Sequence, residues 1–179
     1  ADEAVTVGVD SLSGNAEVLI NGAVLAAGST ISAGSLTSLS IRTGSASNQI
    51  DLSAITSGVF TSLASITVDA GNGDDTIIGA ASVASALSGG DGNDSITGGS
   101  ADDVLMGNDG QDTIDGGAGN DDINAGDGDD SVTAGAGDDT VTGDDGDDTV
   151  FGGAGNDSVL ANNGADSLFG EAGDDTLNG

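Results

Sequence analysis

Gly116-Gly117-Ala118-Gly119-Asn120-Asp121-Asp122-Ile123-Asn124 is one copy of a nine-residue unit that recurs ten times without slippage from Gly89 to Asn178. The unit reads Gly-Gly-x-Gly-x-Asp-x-U-x, with U aliphatic. Its sixth place is Asp94, Asp103, Asp112, Asp121, Asp130, Asp139, Asp148, Asp157, Asp166 and Asp175 in turn. Its eighth place is Ile96, Leu105, Ile114, Ile123, Val132, Val141, Val150, Val159, Leu168 and Leu177. An eleventh copy, residues 70–78, stands upstream with Asp75 and Ile77. A short fixed period marks a solenoid, whose units bury their apolar side only by stacking on one another.

Each place has a physical task. Glycines at the first, second and fourth places are expected to supply positive φ and to let carbonyl groups approach an ion. Ala101 alone breaks the fourth-place series. The sixth-place Asp offers a hard anionic oxygen, which suits Ca²⁺ or Mg²⁺ better than zinc or copper. The last three places alternate outward, inward, outward, so one aliphatic per repeat enters the core from a short strand. Proline would remove a ladder donor, and the chain has none.

This pattern resembles the calcium-binding nonapeptide repeat of the RTX (repeats-in-toxin) proteins, over residues 70–179. The resemblance implies an all-β fold, a right-handed parallel β-roll with two nonapeptides per turn. It also implies calcium ions between loops stacked on the same side. The third places support two repeats per turn independently. Asp91, Asp109, Asp127, Asp145 and Asn163 alternate with Ser100, Ala118, Ala136, Ala154 and Ala172. A period of 18 therefore underlies the nine, and one edge of the roll is doubly acidic. The expected ligands are Asp75 and the ten sixth-place acids, with Asp91, Asp109, Asp127 and Asp145 as a second set. Ions between successive loops then number about eight to ten.

The N-terminal third is a degenerate relative of the same design. Residues 35–41 realign 27 places later with residues 62–68, and the same shift lays Gly44 on Gly71, Asn48 on Asp75 and Ile50 on Ile77. Residues 36–69 thus read as wider β-helical coils without metal loops. Residues 79–88 carry no acid and read as a metal-free half-turn, which puts Asn72 and Asp75 on the doubly acidic edge. Residues 1–35 alternate loosely (Val5, Val7, Val9; Val18, Ile20) and read as strands or a cap.

Composition excludes several functions. The net charge is −30, from 31 acids and one base, Arg42. Nucleic acid and anionic membrane surfaces are held through basic side chains, so neither is an expected partner. The longest apolar stretch, residues 23–27, is far too short to span a bilayer. Without Cys, His or Lys there is no disulfide framework, no Ser-His or Cys-His pair and no phosphate-cradling lysine. The segment Asp127-Gly128-Asp129-Asp130 superficially resembles an EF-hand loop but lacks the bidentate Glu at its twelfth place. Acid pairs such as Asp74 and Asp75 recur in six of the eleven repeats, whereas a catalytic pair needs one distinct environment. The chain is therefore not expected to be an enzyme. A regular outward Thr array of the ice-binding kind is disfavoured, because the seventh places mix Thr and Ser with Val104 and Asp122.

A thin aliphatic core cannot offset the entropy of ordering a Gly-rich, self-repelling chain. The ion is expected to supply the difference, with folding at extracellular calcium and unfolding at cytosolic levels. Phe151 and Phe169, ninth-place residues 18 apart, are expected to stack on one outer face, with Met106 and Leu160 on the other. The opening Ala1-Asp2-Glu3 lacks a leader pattern, and Gly179 falls on the first place of a twelfth repeat. Two functions follow as expectations, both secreted, extracellular or at the cell surface. One is a calcium-stiffened structural protein that stacks end to end, as a homo-oligomer, into a filament or surface layer. The other is a calcium-triggered folding and export module of a larger type I-secreted toxin, protease, lipase or adhesin.

Overall fold

The computed structural model describes residues 36–179 apart from 59, together with four short strands nearer the N-terminus. These are β1 (Ala4–Thr6), β2 (Glu17–Ile20), β3 (Ala23–Val24) and β4 (Thr30–Ser32). They agree with strand formation around Val5, Val18 and Ile20, whereas Val7 and Val9 lie outside the described residues. The chain continues through β5 (Ser38–Arg42), β6 (Gln49–Asp51), β7 (Ser65–Asn72), β8 (Thr76–Ile78), β9 (Ser85–Asp91) and β10 (Ser95–Gly99). Then come β11 (Val104–Asp109), β12 (Thr113–Ala118), β13 (Asp122–Asp127), β14 (Ser131–Ala136) and β15 (Thr140–Asp145). The last four are β16 (Thr149–Ala154), β17 (Ser158–Asn163), β18 (Ser167–Ala172) and β19 (Thr176–Asn178). The described residues contain no helix, and so none long and apolar enough to cross a membrane.

From β5 onward consecutive strands alternate between two sheets. The even strands β6 to β18 form a seven-stranded parallel sheet. The odd strands β5 to β19 form the other, which β2 and β3 extend to ten strands. Neighbours in register are 18 residues apart from β9 and β10 onward, as in Ile96 against Ile114 and Leu105 against Ile123. Two nonapeptides therefore make one coil, as the alternating third places predict. The step is 19 between Val68 and Leu87 and 27 between Ile50 and Ile77. The chain is thus a β-solenoid whose first coil is half as long again as the rest.

The pleat explains the core. In β13 the burial runs exposed at Asp122, buried at Ile123 and half-buried at Asn124. Nine eighth-place aliphatics from Ile77 to Val159 are at most 2% exposed and fill the space between the sheets. Full burial of each contributes about 1.5–3 kcal/mol. The last coil departs from the expectation that every eighth place is internal. Leu168 is only half-buried and Leu177 is 41% exposed, because no further strand covers β18 and β19.

The outward faces are also set by register. Phe151 and Phe169 lie side by side on the seven-stranded sheet, ring centroids 4.8 Å apart and planes within 10°. Met106 and Leu160 are exposed on the other sheet, as expected. The mixed seventh places sort by face: Val104 and Asp122 both fall on the ten-stranded sheet. The seven-stranded sheet carries an unbroken column of Thr76, Ser95, Thr113, Ser131, Thr149 and Ser167.

The first coil buries Leu52, Ile55, Phe60 and Leu63 in the 13 residues between β6 and β7, where later coils have only a tight corner. Turns within it close through Ile55 N–H to Leu52 O and Phe60 N–H to Thr56 O. Antiparallel β2 occupies the outer edge of β5, with Glu17 opposite Arg42 and Ile20 opposite Leu39. Arg42 in turn reaches Asp69 on β7 at 2.8 Å.

Candidate metal centre

Between β7 and β8, and at every passage from β9 onward, the chain crosses from one sheet to the other in a corner of three residues (four between β10 and β11) that ends on the sixth-place Asp. The corners stack in two columns, one along each edge of the roll. Asp75, Asp94, Asp112, Asp130, Asp148 and Asp166 line the edge where odd strands lead into even ones. Asp103, Asp121, Asp139, Asp157 and Asp175 line the opposite edge.

Within a column each carboxylate reaches back one coil. Oδ1 of Asp94 accepts the backbone N–H of Asp75 at 2.7 Å, and Asp112, Asp130, Asp148 and Asp166 repeat the contact along that edge. Asp121, Asp139, Asp157 and Asp175 do the same on the other. The columns begin on residues without a carboxylate: Asn48 N–H donates to Asp75, and Ser85 N–H to Asp103.

The second carboxylate oxygen has a different fate. Oδ2 of nine acids, from Asp75 to Asp157, is buried with no hydrogen-bond partner. Buried carboxylate oxygens are ordinarily paired, since an unpaired one forfeits its hydration. Burial raises the pKa of Asp94, Asp103 and Asp121 to about 6 and of Asp130 to about 7, with neighbouring Asp charges adding to the effect. Asp75, Asp112, Asp139 and Asp148 are raised for the same leading reason. A row of buried anionic oxygens that lack protein partners is what a divalent cation relieves. Among the described residues no group of three or more carboxylates gathers at one point. A cation there must therefore draw on main-chain oxygens as well, a donor set that calcium accepts.

The glycines make that close packing feasible, though not all as expected. Fourth-place glycines, and second-place glycines other than Gly99, have positive φ, for example Gly128 at 139° and Gly126 at 114°. A Cβ on Gly128 would stand 1.7 Å from the Gly110 carbonyl oxygen, so fourth-place carbonyls point at the next coil. First-place glycines are not in the left-handed region, which corrects that part of the expectation. They make room instead: a Cβ on Gly107 would stand 2.2 Å from Oδ2 of Asp112. Ala125, Ala134 and Ala161 nevertheless occupy the same place fully buried.

Third-place acids stand elsewhere. Asp91, Asp109, Asp127 and Asp145 form an exposed column at the ends of odd strands. Asn72 closes it through Nδ2 to Asp91 Oδ2 at 2.5 Å, and Asn163 through Nδ2 to Asp145 Oδ1 at 2.7 Å. The one edge is thus doubly acidic, with Asn72 in the predicted column.

The fifth place was missed by sequence reasoning. Its Asp and Asn side chains form a ladder that runs the opposite way to the sixth. Oδ1 of Asp74 accepts from Asn93 N–H, Asp102 from Asn120, Asn120 from Asp138, and Asp138 from Asn156. The available signal was composition, since nine of the eleven fifth places are Asp or Asn.

The family model of the RTX calcium-binding nonapeptide repeat matches four copies here, over residues 67–82, 88–123, 124–159 and 151–179. No curated protein and no solved structure matches the chain. The matched segments make up more than half of the chain and coincide with the stacked corners and their buried carboxylates. The chain belongs to the RTX calcium-binding nonapeptide repeat family, whose β-roll binds calcium.

Proposed function

We propose that this chain is a secreted calcium-binding structural β-roll that folds when it meets extracellular calcium. The observation that carries the reading is the set of nine buried, unpartnered Oδ2 atoms. Asp75 and the sixth-place acids from Asp94 to Asp175 hold about eight to ten ions between successive corners, together with main-chain carbonyl oxygens. Asp91, Asp109, Asp127 and Asp145 add negative potential along one edge rather than enclosing the ion, because their side chains are exposed. The chain divides functionally into residues 1–35, N-terminal strands or a cap; 36–69, coils without metal loops; and 70–179, the calcium-binding roll. Circular dichroism during an EDTA titration tests this, with strand signal lost as calcium is withdrawn and recovered on its return. Full strand signal in excess chelator would refute it.

A second reading, the folding and export module of a larger secreted protein, draws on both ends of the roll. Half-buried Leu168, exposed Leu177 and the outer edges of β18 and β19 offer a template for more strands. At the opposite end β2 already occupies β5, which hinders head-to-tail growth of identical copies. Electron microscopy with and without calcium separates the two. Filaments or sheets in calcium support end-to-end assembly, and uniform monomers support the module.

A further inference from the structure

The apolar burial and the acids of this chain are distributed in opposite senses. Among the described residues, 36–70 contain eleven buried apolar residues, as many as the whole of 89–179. Phe60 is the one buried aromatic among them, whereas three of the eleven in the later segment are alanines. Of the 31 acids, 23 fall in residues 89–179 and only two, Asp51 and Asp69, in residues 36–70. Asp69 is paired with Arg42, and Asp51 accepts from Ser53 N–H and Oγ, so both carboxylates have protein partners. Among the described residues no buried carboxylate oxygen without a partner occurs before Asp75.

The junction between the two regimes is made by residues that donate but carry no acid. Asn48 presents its N–H to Asp75, and Ser85 presents its N–H to Asp103, while Ser85 Oγ is bonded back to Val83 O. Each acidic column therefore starts on a backbone donor already fixed by an uncharged corner. From these contacts we infer that residues 36–88, in which Asp75 Oδ2 is the one buried carboxylate oxygen without a partner among the described residues, fold without calcium and template the roll.

The physical ground is a comparison of two costs. Adding an 18-residue coil to a fixed edge orders one coil, whereas starting the roll anywhere else orders two before a corner can close on an ion. A preformed edge removes that first step, so calcium-driven folding runs from Asp75 and Asp103 toward the C-terminus. The inference rests on the calcium-dependent folding proposed above and adds where it begins.

Hydrogen exchange read by mass spectrometry on the full chain, in EDTA and in calcium, tests it. The expected result is protection of residues 36–88 in EDTA, with residues 89–179 unprotected until calcium is added. Absence of protection anywhere in EDTA, with uniform gain in calcium, would overturn the template while leaving calcium-driven folding intact. Protection along the whole chain in EDTA would overturn both. Phe60→Ala supplies an independent reading, because it weakens the first coil and touches no acid. It is expected to raise the calcium midpoint of the roll several-fold while the strand signal at saturation persists. An unchanged midpoint in Phe60→Ala would overturn the template, even with residues 36–88 protected in the parent chain.

Discussion

The backbone N–H of Asp112 donates to Oδ1 of Asp130 at 2.7 Å, and Oδ2 of the same carboxylate is buried without a partner. One side chain thus ties two coils together with one oxygen and holds the other for a cation. Replacing Asp130 by Ala removes both. The Asp112 N–H loses its acceptor, and we expect about 1–3 kcal/mol lower stability in saturating calcium, with a higher calcium midpoint. Asp127→Ala, on the exposed third-place column, should stay within about 0.5 kcal/mol of the parent. Calcium titrations followed by circular dichroism compare them, and equal effects would contradict the division of roles.

Proton binding competes for the same oxygens. Without an ion, Asp130 titrates near 7 and Asp94, Asp103 and Asp121 near 6, raised first by burial and then by neighbouring acids. In the unfolded chain they titrate near the ordinary value of about 3.9. The folded metal-free state therefore binds more protons, and the stability they lend is present below about pH 4 and lost as pH rises through 6 to 7. In EDTA, strand content should rise as pH is lowered from 7.5 to 5. In calcium, the midpoint should shift to higher calcium over the same range. A flat response in EDTA would count against carboxylates buried as described.

The glycine places can be told apart by alanine. Gly128 has φ 139°, and its Cβ would meet the Gly110 carbonyl at 1.7 Å, so Gly128→Ala should cost about 4 kcal/mol or more. Gly143 is not in the left-handed region, and its Cβ meets Oδ2 of Asp148 at 2.4 Å and Ala161 O at 2.8 Å. The equivalent place already holds Ala125, so Gly143→Ala should cost about 1–3 kcal/mol by overpacking. Denaturant unfolding in calcium gives the order. A costlier Gly143→Ala would reverse the assignment.

Glu171 is a non-glycine residue at φ 70°, in register with Gly153 of the preceding coil. Relief of that backbone should let Glu171→Gly raise stability by up to about 1 kcal/mol. Thermal unfolding in calcium is the measurement, and a lowered Tm would show that the side chain contributes more than its backbone costs.

Much of this architecture is readable without coordinates because it is written in periods. The unbroken nine gives strands, Asp91 against Ser100 gives two per coil, and the 27-residue echo of Ile50 in Ile77 gives the wide first coil. What stayed hidden depends on direction in space. The first-place glycines look like the second-place ones in sequence, yet one serves Asp112 Oδ2 and the other a positive φ. The Asp74-to-Asn93 ladder was obscured because its place also admits Gln111 and Ala165. Val104 seemed to break a column of hydroxyls until the strands were assigned to their sheets.

The 18-residue step carries a mechanical consequence. Along the solenoid axis each coil advances by one strand spacing, about 4.8 Å, yet the same 18 residues pulled straight span roughly 60 Å. Detaching a single coil therefore lengthens a tethered chain more than tenfold over the height that coil occupied. Ambient calcium, by deciding how many coils stay wound, would set the reach of anything attached to it.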